Sequence, residues 1–433
     1  MENLYDLINK KNNLPQGRIY KKNIKGKTYF YHQFSNQGKR CSKIIKKEDF
    51  DELNKQILER LEIEKQIKEI LKNGNKDIAL SKSARELTGY VMKEDKVVAE
   101  FNQGNLISYN EDLCPLIIKR TKRLEPFLKY RSIDSGRTNS RILKKILNIN
   151  IKDNNLISLC SYAASISDDY WFKPKHSKLK YKDISFNNDM LFDTSLKGLI
   201  SIYPNKIILT PELTTNGSYE KGWKNNNGVW WLYKVGNKNE IFSELFYSRL
   251  FEKLNLPTAH YEYDGKYILS KNFAEKENFE PMVALVGDDE DYKTIYHELN
   301  KINHDIALSY LRLCFFDVVL NNVDRHNENC GIMRDKKTGK IVSLAPNYDD
   351  NLCLISRIET LPLSTNEGFL KMFVSFIKNN EEIKKAYQEI DLPSINKEII
   401  EEVLNEINFD VDRKNIVSYI LLRYKTLIDL INK

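Results

Sequence analysis

Asn321-Asn322-Val323-Asp324-Arg325-His326-Asn327-Glu328-Asn329, followed shortly by Leu344-Ala345-Pro346-Asn347-Tyr348-Asp349-Asp350, is the stretch on which the reading of this chain turns. Asp324 precedes Asn329 by five positions. Asp349 follows a hairpin-like segment, Arg334 to Ile341, that turns at Lys337-Thr338-Gly339. The flanks are apolar. His304 to Leu320 (HDIALSYLRLCFFDVVL) is hydrophobic on nearly all sides, the pattern of a buried helix that would deliver the loop rigidly. Ile341 to Leu344 reads as a short strand that delivers Asp349.

An acid, an amide and a second acid so placed match the needs of phosphoryl transfer. That chemistry leaves the protein little covalent work, so catalysis is positioning and charge neutralisation. A carboxylate beside the nucleophile accepts its proton, the role that fits Asp324. An amide oxygen and a second carboxylate hold Mg²⁺, which prefers hard oxygen ligands; Asn329 and Asp349 fit that role. Asn and Asp also form ordinary polar turns. The buried helix before the loop and the second acid after it favour a site.

The run Asn-x-Asp-Arg-His-x-x-Asn followed by Ala-Pro-x-Tyr-Asp resembles the HipA-like protein kinases, whose order is Asp-Arg-His and not the His-Arg-Asp of ordinary protein kinases. The resemblance covers residues 190–433 or so, and a looser one extends over the whole chain to HipA-domain proteins of low-GC bacteria with a similar basic N-terminus. It implies an α+β, bilobal, protein-kinase-like domain with an α-rich C-lobe. It also implies ATP and Mg²⁺ as cofactors, and phosphotransfer to Ser/Thr of a protein. A cytoplasmic setting and an antitoxin or a second copy as partner follow from it as well. In such kinases a Gly-x-x-x-Lys-like loop precedes a strand that ends in Lys. Thr214 to Trp223 stands there, so Gly217, Ser218 and Lys221 would meet the ATP phosphates. Lys234, closing Trp230-Trp231-Leu232-Tyr233, would be the strand lysine, with Glu244 as its ion-pair partner. Ser218 best matches a loop serine that some members autophosphorylate. Ser270 and Phe273 would stand at the hinge that reads adenine. Two positions depart from the family pattern. Cys330 stands where a larger apolar residue is usual, and polar Asp350 and Asn351 follow Asp349.

Composition sets the outer bounds. The 433 residues suffice for two to four domains. No apolar run approaches the ~18–20 residues of a membrane span, and Met1 to Asp6 lacks the pattern of a signal peptide. The six cysteines form no Cys-x-x-Cys pair and read as reduced thiols. Net charge is +8, unevenly spread: residues 1–47 hold twelve Lys/Arg against two acids, +10, and the rest holds 56 against 58, −2.

That basic segment reads as strands Arg18–Ile24, Lys27–Ser35 and Lys39–Ile45, with turns at Lys25-Gly26 and Asn36-Gln37-Gly38. Lysines and aromatics interleave in it, so residues 1–47 are a candidate nucleic-acid contact. A helix is expected over Glu48 to Asn73, capped by Gly74, with Phe50, Leu53, Ile57, Leu61, Ile67 and Leu71 on one face, usable for the sheet or for a dimer seam. The expected organisation is a basic sheet-plus-helix module over 1–75, a mixed linking region over 76–190, a kinase N-lobe over 191–273 and an α-rich C-lobe over 274–433. Within the linking region, Gly89 to Asn110 reads as a small β unit. Arg131 to Arg141 reads as an exposed helix face or an anion grip. The phosphate loop is expected between β-like runs Lys206–Leu209 and Val229–Val235. Helix is expected over 240–254, a hairpin turn at Asp264-Gly265, and helices over 380–390, 394–407 and 411–431. Two rival functions stay open: a kinase of a small molecule or lipid head group, and a DNA-binding regulator with a degenerate kinase domain. The intact Asp, Asn, Asp set argues against the second.

Overall fold

The computed structural model describes residues 10–11, 13–36, 39–80, 83–147, 149, 153–199, 209–358, 360–364 and 367–432. The expected run Lys206–Leu209, apart from Leu209, and Gln37-Gly38 of an expected turn lie outside them. The protein is a mixed α and β chain of small antiparallel sheets and many helices. It divides into two compact units. One comprises Met1–Asn110, Arg123–Ser165 and Asp169–Gly222, and the other Glu111–Lys122, Ile166–Asp168 and Trp223–Lys433.

In the first unit, β1 (Arg18–Ile24), β2 (Lys27–Asn36) and β3 (Lys39–Ile45) form an antiparallel sheet in chain order. Helix α1 (Lys47–Leu80) follows, with Glu48 and Asp49 at its positive end, where acids are favoured. It runs straight through Gly74, which corrects the expected stop at Asn73. Glycine costs a helix about 1 kcal/mol but ends it only where a left-handed cap forms. Phe50 packs edge-on to Phe30 of β2. Ile57 and Ile63 are buried, while Leu61 is 51% exposed, so the expected apolar stripe breaks at Leu61. A second sheet explains the shift. It orders β4 (Gly89–Lys93), β5 (Lys96–Asn102), β6 (Asn105–Tyr109) and β7 (Tyr170–Pro174) as β6-β5-β4-β7. Helix α1 also meets β7, so it uses more than one face. Trp171 and Phe172 of β7 are fully buried beside Val91 and Phe101.

Arg137 is buried and paired with Glu212, and it donates to the Ser195 hydroxyl and the Lys221 carbonyl. At this residue the basic run is neither an exposed helix face nor a surface anion grip. Burying a guanidinium is tolerable only with such partners.

The second unit carries a sheet ordered β10-β11-β9-β8, from β8 (Lys221–Asn226, which belongs to this unit from Trp223 on), β9 (Val229–Lys234), β10 (Tyr261–Tyr263) and β11 (Ile268–Lys271). Helix α2 (Lys238–Lys253) starts on a capping box in which Asn237 and Glu240 satisfy each other's backbone N–H groups. A three-stranded sheet orders β12 (Glu277–Pro281), β13 (Gly331–Asp335) and β14 (Ile341–Leu344) in sequence. Around it stand α3 (Tyr292–Ile302), α4 (His304–Leu320), α5 (Gly368–Lys378), α6 (Glu381–Glu389), α7 (Lys397–Ile407) and α8 (Arg413–Asn432). Helix α4 is the axis of the core. Leu311, Phe315, Phe316, Val318, Val319 and Leu320 are fully buried, each contributing about 1.5–3 kcal/mol of transfer free energy. Among the described residues no helix is long and apolar enough to cross a membrane.

Candidate active site

Lys234 is the last residue of β9 and pairs in register with Ile268 of β11. Its Nζ lies 2.9 Å from Glu244 Oε1 on α2 and 2.7 Å from Asp349 Oδ1. The Glu244 side chain is 2% exposed, Lys234 12% and Asp349 32%, so the triad opens towards solvent at Asp349. Burial works to lower the Lys234 pKa, but Asp349 and Glu244 outweigh it and hold the ammonium well above its usual range. Burial pushes Glu244 up, and the Lys234 charge offsets part of that rise. Tyr261 closes the group. Its ring lies 5.8 Å from Lys234 Nζ, and its hydroxyl accepts the Asp349 N–H at 3.0 Å. Asp349 has φ +62°. A non-glycine residue in that left-handed region costs of order 1–3 kcal/mol and persists where surrounding contacts enforce it.

The second half of the site grows from the end of α4. Asn321 caps the helix in the left-handed conformation, φ 56°. Asn322 donates to Asp317 Oδ1 at 3.1 Å and to Asp350 Oδ1 at 2.9 Å, and its own Oδ1 accepts the Asp324 N–H at 3.3 Å. Asn329 Nδ2 donates to the Asp324 carbonyl at 3.0 Å and lies 3.4 Å from Asp324 Oδ2. The five-residue spacing thus brings the acid and the amide face to face across one loop. The amide nitrogen is committed to Asp324, so the Asn329 oxygen is the end suited to a cation.

Arg325 binds the two loops together. It donates twice to Asp317 (2.9 and 2.8 Å), to Asp350 Oδ1 (2.5 Å) and to Asn347 Oδ1 (2.7 Å). It also reaches the carbonyls of Asn329 (2.6 Å) and Tyr348 (3.0 Å). Burial alone would lower its pKa, but Asp317 and Asp350 hold it well above the usual value. Burial pushes Asp350 up to about 7, with Arg325 pulling the other way. Asp350 also accepts from Asn347 at 2.6 Å, and Asp317 from Tyr247 at 2.9 Å. Sequence reasoning gave no role to Arg325, Asp317 or Tyr261 and took Asp350 only as a departure from a pattern. Two signals were present: Asp317 is a lone acid late in an apolar helix, and Asp350 replaces an apolar residue.

Phe273 packs against Tyr348 and Phe279 at 5.6 and 5.5 Å between ring centroids, one residue before Asp349. Ser270 lies on β11 opposite Leu232 and Tyr261. Gly217, Ser218 and Lys221 belong to the first unit. There Lys221 Nζ donates to the Asn216 carbonyl at 3.0 Å. Gly217 has φ +99°, a left-handed backbone that a residue with a Cβ adopts only under strain. Ser218 is exposed. The Lys221 carbonyl accepts from Ser195 Oγ at 2.7 Å and from Arg137, which fixes the end of the loop.

Among the described residues no three His, Cys, Asp or Glu side chains gather as a metal cage. Mg²⁺ that keeps waters and phosphate oxygens takes only one or two carboxylates from the protein. The Asp349 carboxylate and the Asn329 amide are hard oxygen donors of the kind it accepts.

No known family model matches the chain, and no curated protein matches it in sequence. Solved structures similar to it include the Helicobacter pylori proinflammatory kinase CtkA, at 17% identity and TM-score 0.39, covering 48% of this chain and 94% of that one. Another is a chain from the Shewanella oneidensis MR-1 toxin–antitoxin complex of HipA, HipB and operator DNA. It is 14% identical with TM-score 0.48, covering 80% of this chain and 97% of that one.

Proposed function

We propose that this protein is an ATP- and Mg²⁺-dependent kinase that transfers phosphate to Ser/Thr hydroxyls of a protein. The observation that carries the reading is Lys234, held between Glu244 of α2 and Asp349 of the loop after β14. A lysine oriented by a helix glutamate beside a metal-binding aspartate is the arrangement that positions nucleotide phosphates in kinases. In this reading Asp324 accepts the hydroxyl proton as the substrate oxygen attacks the γ-phosphorus and ADP leaves. Asn329 and Asp349 would hold Mg²⁺, which when bound neutralises charge on the phosphate oxygens. Lys234 grips the phosphates, and Arg325 keeps the loops carrying Asp324 and Asp349 in register; Gly217, Ser218 and Lys221 are kept as candidate phosphate-binding residues on the resemblance alone. Ser270 and Phe273 border the adenine. Residues 191–273 and 274–433 act as the two kinase lobes, with 1–75 and 76–190 as accessory regions. An antitoxin or a second copy as partner and a cytoplasmic setting belong to the same reading.

The test is γ-labelled ATP added to cleared lysate with wild type or Asp324→Ala. Label entering the protein fraction only with wild type supports the proposal. Label confined to small molecules or lipid moves the substrate class. No difference between the two enzymes overturns the assignment of Asp324.

A further inference from the structure

The sheet β1-β2-β3 has two faces with different fates. Residues opposite one another across an antiparallel pair share a face, and faces alternate along each strand. Lys21, Phe30 and Ile45 lie in one line of register. That face meets α1: Phe30 packs on Phe50 at 4.9 Å between ring centroids, and Lys21 Nζ lies 5.0 Å from the Phe50 centroid. The other face carries Arg18, Tyr20, Lys22, Lys27, Tyr29 and Tyr31, and none of these is buried. Ile44, in line with Tyr20 and Tyr31, is 59% exposed.

Charge points the same way. Residues 10–47 contain twelve Lys/Arg and no Asp or Glu. The nearest acids are on α1, where Glu59 pairs with Lys10 and Glu64 with Arg60. Among the described residues Arg18, Lys22 and Lys27 have no acidic partner. A dense, regular line of phosphates is the ligand that such an excess of cations selects.

The geometry favours a duplex. Seven-residue strands run about 24 Å, a length over which B-DNA presents about 14 phosphate charges. The Tyr20 and Tyr31 rings stack on each other at 5.3 Å and 10° between planes. Each ring covers one face of the other, and their hydroxyls, with Arg18 and Gln33 at 3.0 Å from each other, are groups suited to base edges and phosphates.

We infer that the face of β1-β2-β3 turned away from α1 binds duplex DNA, a function separate from the chemistry at Asp324. The experiment uses the full chain and fluorescence anisotropy with a 20-base-pair duplex, titrated over salt. Wild type binds with affinity that falls steeply with salt. Lys22→Ala/Lys27→Ala lowers the salt slope by about 1.8, at about 0.9 for each phosphate that is no longer neutralised, and weakens binding tenfold or more. Lys21→Ala/Lys43→Ala removes the same charge from the helix side and leaves the slope as in wild type. Far-UV circular dichroism checks that both variants are folded. Equal losses from both pairs, tighter binding to the single strand than to the duplex, or no wild-type binding at low salt overturns the inference.

Discussion

Replacing Arg325 by Leu removes the cation that the buried carboxylates of Asp317 and Asp350 share. Both acids are 0% exposed at their side chains, and Arg325 is 2% exposed. Breaking a buried pair costs about 3–5 kcal/mol, because the remaining charge stays desolvated. Without Arg325 the Asp350 carboxyl, which burial already pushes up to about 7, takes up a proton and relieves part of that cost, so the lower end applies, against a total stability of about 5–15 kcal/mol for a typical domain. Chemical denaturation of the purified protein reads this directly as a shift in midpoint at constant slope. The double variant Arg325→Leu/Asp350→Leu leaves one orphan in place of two, so the losses are non-additive and the double variant is the more stable of the pair. Arg325→Lys separates charge from shape. Lysine keeps the cation but has no fork to span Asp317, Asp350, Asn347 and the carbonyls of Asn329 and Tyr348. Its stability loss is smaller, yet turnover falls about a hundredfold, since misplacing a reacting group by about 1 Å costs on that order. An Arg325→Leu protein within about 1 kcal/mol of wild type, or strictly additive losses in the double variant, refutes the reasoning.

Glu244→Gln keeps the shape and removes the charge that steadies Lys234. A hydrogen bond to a charged group contributes about 1.5–3 kcal/mol, so turnover falls about ten- to a hundredfold with little change in the unfolding midpoint; unchanged steady-state rates contradict it. Ser218 is exposed in the loop that holds Lys221, and a phosphate there adds about −1.5 to −2 charges. Incubation with ATP adds one phosphate to wild type by intact mass, none to Ser218→Ala or Asp324→Ala, and the phosphorylated protein binds ATP more weakly. Active wild type without added mass ends that idea.

Much of the architecture is written locally. The α4 bounds follow from a largely apolar run, and β1 to β3 from alternation broken by Lys25-Gly26 and Gly38. β10 and β11 follow from the Asp264-Gly265 turn. Asp324 and Asn329 meet within one loop, a contact that spacing alone can carry. The remainder depends on contacts distant in sequence. Strand β12 (Glu-Asn-Phe-Glu-Pro) shows no apolar alternation, yet Glu280 is buried because Arg334 on β13 ion-pairs with it. The Asp317–Arg325–Asp350 group joins a helix, a loop and a second loop, and no periodicity in any of them announces it. Tyr261 reaches Asp349 across 88 residues. The run past Gly74 shows the converse: a local stop signal that the helix overrides.

ADP release by purified protein titrated with Mg²⁺ tests whether Asp324, Asn329, Asp349 and Lys234 form one phosphotransfer centre. Wild type should turn over ATP only with Mg²⁺. Asp349→Asn, which keeps the side-chain shape but removes the carboxylate, should lose turnover by orders of magnitude, each tenfold being about 1.4 kcal/mol of lost transition-state stabilisation, while unfolding as wild type does. Wild-type turnover by folded Asp349→Asn, or ATP turnover by wild type that is indifferent to Mg²⁺, would contradict a Mg²⁺-dependent centre at these residues.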